Sequence, residues 1–96
     1  MTAYLVFTRD STETPEELAA YNANVKASLE GHPISFLALY GEHEALEGPP
    51  IEGMVIASFP TMEEARAWYH SPKYQEAAKH RFKGATYRCV LVEGIG

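Results

Sequence analysis

Four strand-like runs of this chain carry apolar residues on both faces, and few helices are available to cover them. The runs are residues 3–9, 34–40, 54–59 and 86–93. Neighbouring strand residues point to opposite faces of the sheet. Val55 and Ala57 should therefore point to one face and Ile56 to the other, and the same alternation predicts one face for Leu37 and Leu39. The two helical stretches between the runs can cover only one face. We therefore expect a second copy of the chain to cover the other, in a homodimer built by sheet-to-sheet packing.

Helix-start patterns place the helices between the strands. Thr14 and Thr61 each precede a glutamate by three residues, the spacing of a capping box, and Pro15 suits a first helical position. Ser71 followed by Pro72 restarts the second helix, so we predict a break there with Ser71 as the cap. Residues 10–12 are expected to end the first strand.

The resulting order is β-α-β-β-α-β, the ferredoxin-like arrangement of the α+β class. It predicts one domain over residues 1–96, with a four-stranded antiparallel sheet and both helices on one face.

One stretch of the chain also carries a sequence motif that is typical of a protein family. Residues 59–75 contain Trp-Tyr-x-Ser-Pro-x-Tyr, at Trp68 to Tyr74, and are followed by Arg81 and Arg88. With Tyr4-Leu5-Val6, Glu47-Gly48 and the closing Val92-Glu93-Gly94, the whole chain resembles the family catalogued as domain of unknown function 1330.

The resemblance implies a dimeric α/β barrel, in which two ferredoxin-like sheets close face to face. That family's activity is unassigned. Relatives in the wider superfamily include cofactor-free monooxygenases, small isomerases, haem-degrading proteins and pigment-decolourising peroxidases, so the fold implies no reaction.

Composition narrows the class of protein. A net charge of −5 disfavours nucleic-acid binding, which usually needs a basic surface. The sequence shows neither a signal-peptide pattern nor an apolar run near the roughly 20 residues that span a bilayer. We expect a cytoplasmic protein with no membrane partner. Cys89, the single cysteine, lies in an apolar strand and is predicted to be buried and unreactive.

The sequence predicts no metal site and no cofactor. The four histidines lack the tight spacing of a zinc or haem site, and Cys-x-x-Cys is absent. Glycine-rich nucleotide-binding patterns are also absent.

Tyr74 and Arg81 are the best candidates for a functional pair. They lie seven residues apart, two helical turns, and so share a face that looks at the sheet. An arginine on an apolar face must be hydrated or paired. One interpretation is an internal ion pair with Glu47 or Glu93. The other is an arginine that recognises an anion at a pocket between the second helix and the sheet.

Two function hypotheses follow. The first is a small-molecule-binding homodimer, extending to a cofactor-free enzyme that acts on a small carboxylate. Its ligand-binding residues would be Tyr40, Tyr74, Arg81 and Arg88. His80 or His43 would act as the base, because an ordinary histidine titrates near neutral pH. The alternative is a non-catalytic dimer that serves as an interaction or accessory module.

Overall fold

A computed structural model describes residues 1–96 and shows the element order β-α-β-β-α-α-β. The strands are β1 (Ala3–Thr12), β2 (Ser35–Leu39), β3 (Gly53–Phe59) and β4 (Ala85–Glu93), and the helices are α1 (Pro15–Ser28), α2 (Met62–Tyr69) and α3 (Pro72–Gly84). The sheet order is β2-β3-β1-β4, and every neighbouring pair is antiparallel. This confirms the predicted ferredoxin-like α+β fold.

The break in the second predicted helix is confirmed at Ser71. Its Oγ accepts a hydrogen bond from the backbone N–H of Tyr74 at 3.3 Å and donates one to the carbonyl of Trp68 at 2.7 Å. Thr61 caps α2 in the same way, accepting from the N–H of Glu64 at 3.1 Å. The Ser71 hydroxyl therefore joins the end of α2 to the start of α3.

The predicted side-chain cap at Thr14 is wrong. Its side chain makes no capping bond. Instead, the backbone N–H groups of Glu13 and Thr14 donate to the carbonyl of Gly84, at 2.8 and 2.9 Å. The start of α1 is thus held by the end of α3. A Cβ at Gly84 would lie 2.8 Å from the backbone N of Leu18, so the close approach requires glycine.

Two predicted strand details are also wrong. β1 does not end at Arg9, because it continues to Thr12 after a register shift against β4. A second register shift in β2 breaks its alternation: Phe36 lies opposite Ala57 and Leu39 lies opposite Val55. Phe36 and Leu39 therefore share a face, whereas strict alternation had separated them.

The core lies between the sheet and the helices. Leu5 and Phe7 of β1 and Val55 and Phe59 of β3 are buried there, and burying such a side chain contributes about 1.5–3 kcal/mol. The helices bury Leu18, Tyr21, Ala65, Trp68, Tyr74, Ala77 and Ala78 against them. No helix of this fold has both the length and the apolar character that crossing a membrane would require.

The opposite face of the sheet, which we call the open face, is also apolar. Val6 and Ile56 lie side by side on it and are only partly buried. Val90 and Val92 of β4 are 57% and 52% exposed. The helices leave this face uncovered, and contiguous exposed apolar surface marks an interaction site.

Candidate functional site

Arg81 is the only buried charged residue, with 3% of its surface exposed. No carboxylate pairs with its guanidinium. Its Nε is buried without a hydrogen-bond partner. The interpretation of Arg81 as a member of an internal ion pair with Glu47 or Glu93 is therefore wrong. A buried cation with an unfilled donor is costly unless something else compensates it.

Aromatic rings supply part of that compensation. The Cζ atom of Arg81 lies 5.2, 5.9, 5.0 and 5.0 Å from the ring centroids of Phe7, Tyr21, Phe82 and Tyr87. Such contacts attract a cation to the negative ring faces. Burial lowers the pKa of Arg81, but Tyr74 and Tyr21 beside it raise the pKa, and the net direction is upward. Arg81 is therefore charged.

Four tyrosines form two hydroxyl pairs in this part of the fold, and of the four, Tyr21 and Tyr87 place their rings against Arg81. The hydroxyl oxygens of Tyr21 and Tyr74 are 3.1 Å apart, and those of Tyr40 and Tyr87 are 2.5 Å apart. Burial raises the pKa of Tyr21, Tyr40 and Tyr74 above the ordinary phenol value. These phenols are therefore protonated and able to donate hydrogen bonds.

The backbone at Tyr40 is unusual. Its φ of 53° lies in the left-handed region, which a bulky side chain rarely adopts. The ring packs on Gly53, where a Cβ would lie 2.8 Å from Cδ1 of Tyr40. Arg9, whose Nε lies 3.1 Å from a carboxylate oxygen of Glu52, places its guanidinium 5.1 Å from the same ring centroid. Gly53 and Arg9 hold the Tyr40 ring in place, and such strained positions cluster at functional sites.

Two depressions adjoin these tyrosines, one on each side of Tyr87. The first, which we call the aromatic cleft, has a volume of about 360 Å³ and lies between α1 and the sheet. Its ring-bearing walls are Phe7, Tyr21, Phe36, Tyr40, Trp68 and Tyr87. The second, the arginine groove, has a volume of about 400 Å³ between α3 and β4. It is lined by Tyr69, Arg81, Phe82, Ala85, Thr86, Tyr87 and Cys89.

Arg88 does not join this cluster, so the prediction that it lies near Arg81 is wrong. It lies opposite Thr8 on the open face, and its side chain is 79% exposed. Its Nε lies 3.8 Å from a carboxylate oxygen of Asp10. Arg81 faces the helix side of the sheet beside Tyr87, so the sheet separates the two arginines.

The two histidines considered as bases lie away from both depressions. His80 Nδ1 lies 2.9 Å from a carboxylate oxygen of Glu17, in a contact between α3 and α1. The ring of His43 bonds the carbonyls of Gly41 and Ile51 and closes the loop between β2 and β3. Neither is placed to remove a proton from a ligand in the cleft or the groove.

Cys89 is only partly buried, so the prediction of full burial is wrong. It lines the arginine groove. Desolvation raises the pKa of its thiol to about 11, although Arg81 lowers it. The thiol is therefore uncharged at neutral pH. No group of three or more histidine, cysteine or carboxylate side chains comes together to hold a metal ion.

Sequence reasoning missed Tyr21, Tyr87 and Arg9. Tyr21 lies on the apolar stripe of α1, which indicates packing alone. Tyr87 and Arg9 face each other across β1 and β4. Strand register was the signal that could have found this pair, because Arg9 and Tyr87 belong to the continuous pairing that begins with Ala3 and Glu93, before the register shift.

Comparisons with known families and solved structures agree with the observed fold. A model of the family described as "Domain of unknown function (DUF1330)" matches residues 2–95. No curated protein matches the chain.

Among solved structures, a protein of unknown function from Rhodopseudomonas palustris is similar, with 19% identity and a TM-score of 0.76 over 99% of this chain and 83% of that chain. A dimeric ferredoxin-like protein of unknown function from Thermobifida fusca has 15% identity and a TM-score of 0.66, over 98% and 92%. SnoaB, a cofactor-independent oxygenase from Streptomyces nogalater, has 12% identity and a TM-score of 0.62, over 99% and 94%. At these identities the likeness shows the fold alone.

Proposed function

The chain belongs to the DUF1330 family, and on that premise we propose that it is a homodimer that binds a small anionic compound of the carboxylate class through Arg81. The observation that carries the proposal is a charged, buried guanidinium with no protein carboxylate beside it.

The chemistry of Arg81 favours a carboxylate as the missing partner. A guanidinium presents a planar fork of N–H donors, which matches the two oxygens of a carboxylate. Arg81 lines the arginine groove, so an anion that enters the groove can approach it from solvent. Its Nε is buried and unpaired, and a small adjustment on binding would bring it to an acceptor.

Tyr74 packs beside Arg81 but lines neither the arginine groove nor the aromatic cleft, so the prediction that it lines the same pocket as Arg81 is wrong, and its role in the proposed site is a supporting one. It is fully buried and contributes to raising the pKa of Arg81. Its hydroxyl bonds Tyr21, which fixes its orientation near the guanidinium. Tyr40 lines the aromatic cleft, on the other side of Tyr87, and Arg88 lies on the open face. Of the predicted set, Arg81 alone therefore lines the proposed anion site, and Tyr74 supports it from the core.

Catalysis is the second candidate function. SnoaB, which shares the fold, is described as a cofactor-independent oxygenase. This candidate requires binding first, so binding is what the first experiment measures.

The test compares binding of benzoate, acetate and inorganic phosphate by the wild type, Arg81→Met and Lys83→Met, using thermal shift and calorimetry. Lys83 is exposed on the same helix, so its substitution removes one positive charge away from the groove. A carboxylate at 100 times its dissociation constant should stabilise the wild type and Lys83→Met by about 2.7 kcal/mol. Arg81→Met should show no such gain. Equal gains in all three proteins, or none with any carboxylate, would contradict the proposal and favour the accessory-module alternative.

The dimer is supported by the open face and by relatives. Proteins of this fold from Bacteroides fragilis and Thermobifida fusca are described as dimeric. An obligate interface of this kind buries on the order of 2,000 Å² or more, and two open faces closing on each other would cover Val6 and Ile56. Sedimentation at micromolar concentration should give a dimer for the wild type and a monomer for Val6→Glu. A stable wild-type monomer would refute the dimer.

A further inference from the structure

We propose that the aromatic cleft is a second binding site, for a planar ring compound that carries a hydroxyl or carbonyl oxygen, and that the paired hydroxyls of Tyr40 and Tyr87 bind this oxygen. The cleft and the arginine groove share Tyr87 alone among their lining residues, so the proposed ring compound occupies a different depression from the anion.

The walls of the cleft fit a flat, apolar body. Rings contributed by α1, α2 and the sheet line it, including Tyr21, Trp68 and Tyr87. Aromatic side chains pair with other rings in stacked or edge-on contacts. A volume of about 360 Å³ lies at the small end of ligand pockets. A compact ring compound suits these walls better than a flexible chain, which would lose more conformational freedom on binding.

The apolar rim of the cleft is open to solvent. Phe36 and Leu39 share the helix-side face of β2 and are 45% and 59% exposed. Lys26 also lies at the rim and makes no ion pair. Exposed apolar side chains around a concave surface mark a binding site. A cation at the rim would favour a ligand oxygen that carries partial negative charge.

The hydroxyl pair supplies the polar end of the site. One of the two phenols donates to the other across 2.5 Å, which leaves one O–H free to donate to a ligand oxygen. Partial burial raises the pKa of Tyr40, so its proton stays available. Hydrogen bonds in such a chain polarise and strengthen one another.

The backbone at Tyr40 and the glycine beside it support a fixed position for the Tyr40 hydroxyl. Tyr40 is held at a φ of 53°, and Gly53 leaves room for its ring. Strain of this kind is stored where a side chain must stay in one orientation.

The test measures binding of 2-naphthol, and of naphthalene as the partner that lacks the oxygen, by calorimetry. The proteins are wild type, Tyr40→Phe, Asn22→Trp and Asn24→Trp. Asn22 is exposed at the rim of the cleft, so a tryptophan there should block it without disturbing the core. Asn24 is also exposed on α1 but lines a different groove, beside α3, and serves as the matched control.

We expect the wild type and Asn24→Trp to bind 2-naphthol equally. Asn22→Trp should lose binding. Tyr40→Phe should bind about three- to tenfold more weakly, which corresponds to one lost hydrogen bond. It should change naphthalene binding less.

If Asn22→Trp binds the ligand as the wild type does, the ligand lies outside the cleft and the proposal is overturned. Absence of wild-type binding to both compounds would also overturn it, and would leave a second copy of the chain as the occupant of the cleft. An unchanged affinity in Tyr40→Phe would refute the role of the hydroxyl pair.

Discussion

Replacing Arg81 with methionine should change stability little, even though the residue is 3% exposed. Methionine keeps an unbranched apolar side chain in the same space. The substitution removes the positive charge, the Nε–H donor that lacks an acceptor, and the contacts with the surrounding rings. The sign and size of the change therefore report what the guanidinium contributes to folding.

The contacts of Arg81 set the expected size of the change in the free energy of unfolding. Four ring contacts at about 0.5–1 kcal/mol each stabilise the folded chain by about 2–4 kcal/mol. Burying a donor without an acceptor costs about 1–3 kcal/mol. The two ranges together run from a gain of about 1 kcal/mol to a loss of about 3 kcal/mol, so Arg81→Met should lower the free energy of unfolding by no more than about 3 kcal/mol. Breaking a buried ion pair would instead cost about 3–5 kcal/mol.

Urea unfolding is the assay. Trp68 is the only tryptophan and is 2% exposed, so its fluorescence reports the core directly. Unfolding should be measured at several protein concentrations, since dimerisation would make stability depend on concentration. The control, Lys83→Met, should stay within about 0.5 kcal/mol of the wild type. A loss above about 3 kcal/mol in Arg81→Met would refute the reasoning and indicate a buried partner for the charge.

Three further changes test the fold and the groove. Ser71→Ala should lower the free energy of unfolding by about 1 kcal/mol, and a change near zero in chemical denaturation would contradict the cap. Gly84→Ala should cost about 1–3 kcal/mol because its Cβ meets the backbone of Leu18 at 2.8 Å, whereas Gly41→Ala has open space and should melt like the wild type. The thiol of Cys89 should react slowly at neutral pH and faster as pH rises toward its pKa of about 11, so rapid labelling at neutral pH would be inconsistent with it.

Features set by local spacing were predictable from the sequence. The cap at Ser71 depends on residues within three positions of it, and the structure has the predicted bond. The surroundings of Arg81 were not predictable, because Tyr21 and Tyr87 arrive from α1 and β4 through tertiary packing. One error was avoidable. Neighbouring strand residues face opposite ways, so Arg88 and the adjacent Cys89 could not both face the helices.

The position of β1 in the sheet has a consequence for how the chain is made. Ala3 lies opposite both Phe59 and Glu93, so the central strand takes its two neighbours from much later in the sequence. Contacts of such long range slow folding, because the chain between them must be ordered first. On the ribosome β1 emerges with neither neighbour available, and its apolar residues stay exposed until β3 and then β4 are synthesised. During synthesis this strand is therefore the segment most open to aggregation and to binding by chaperones.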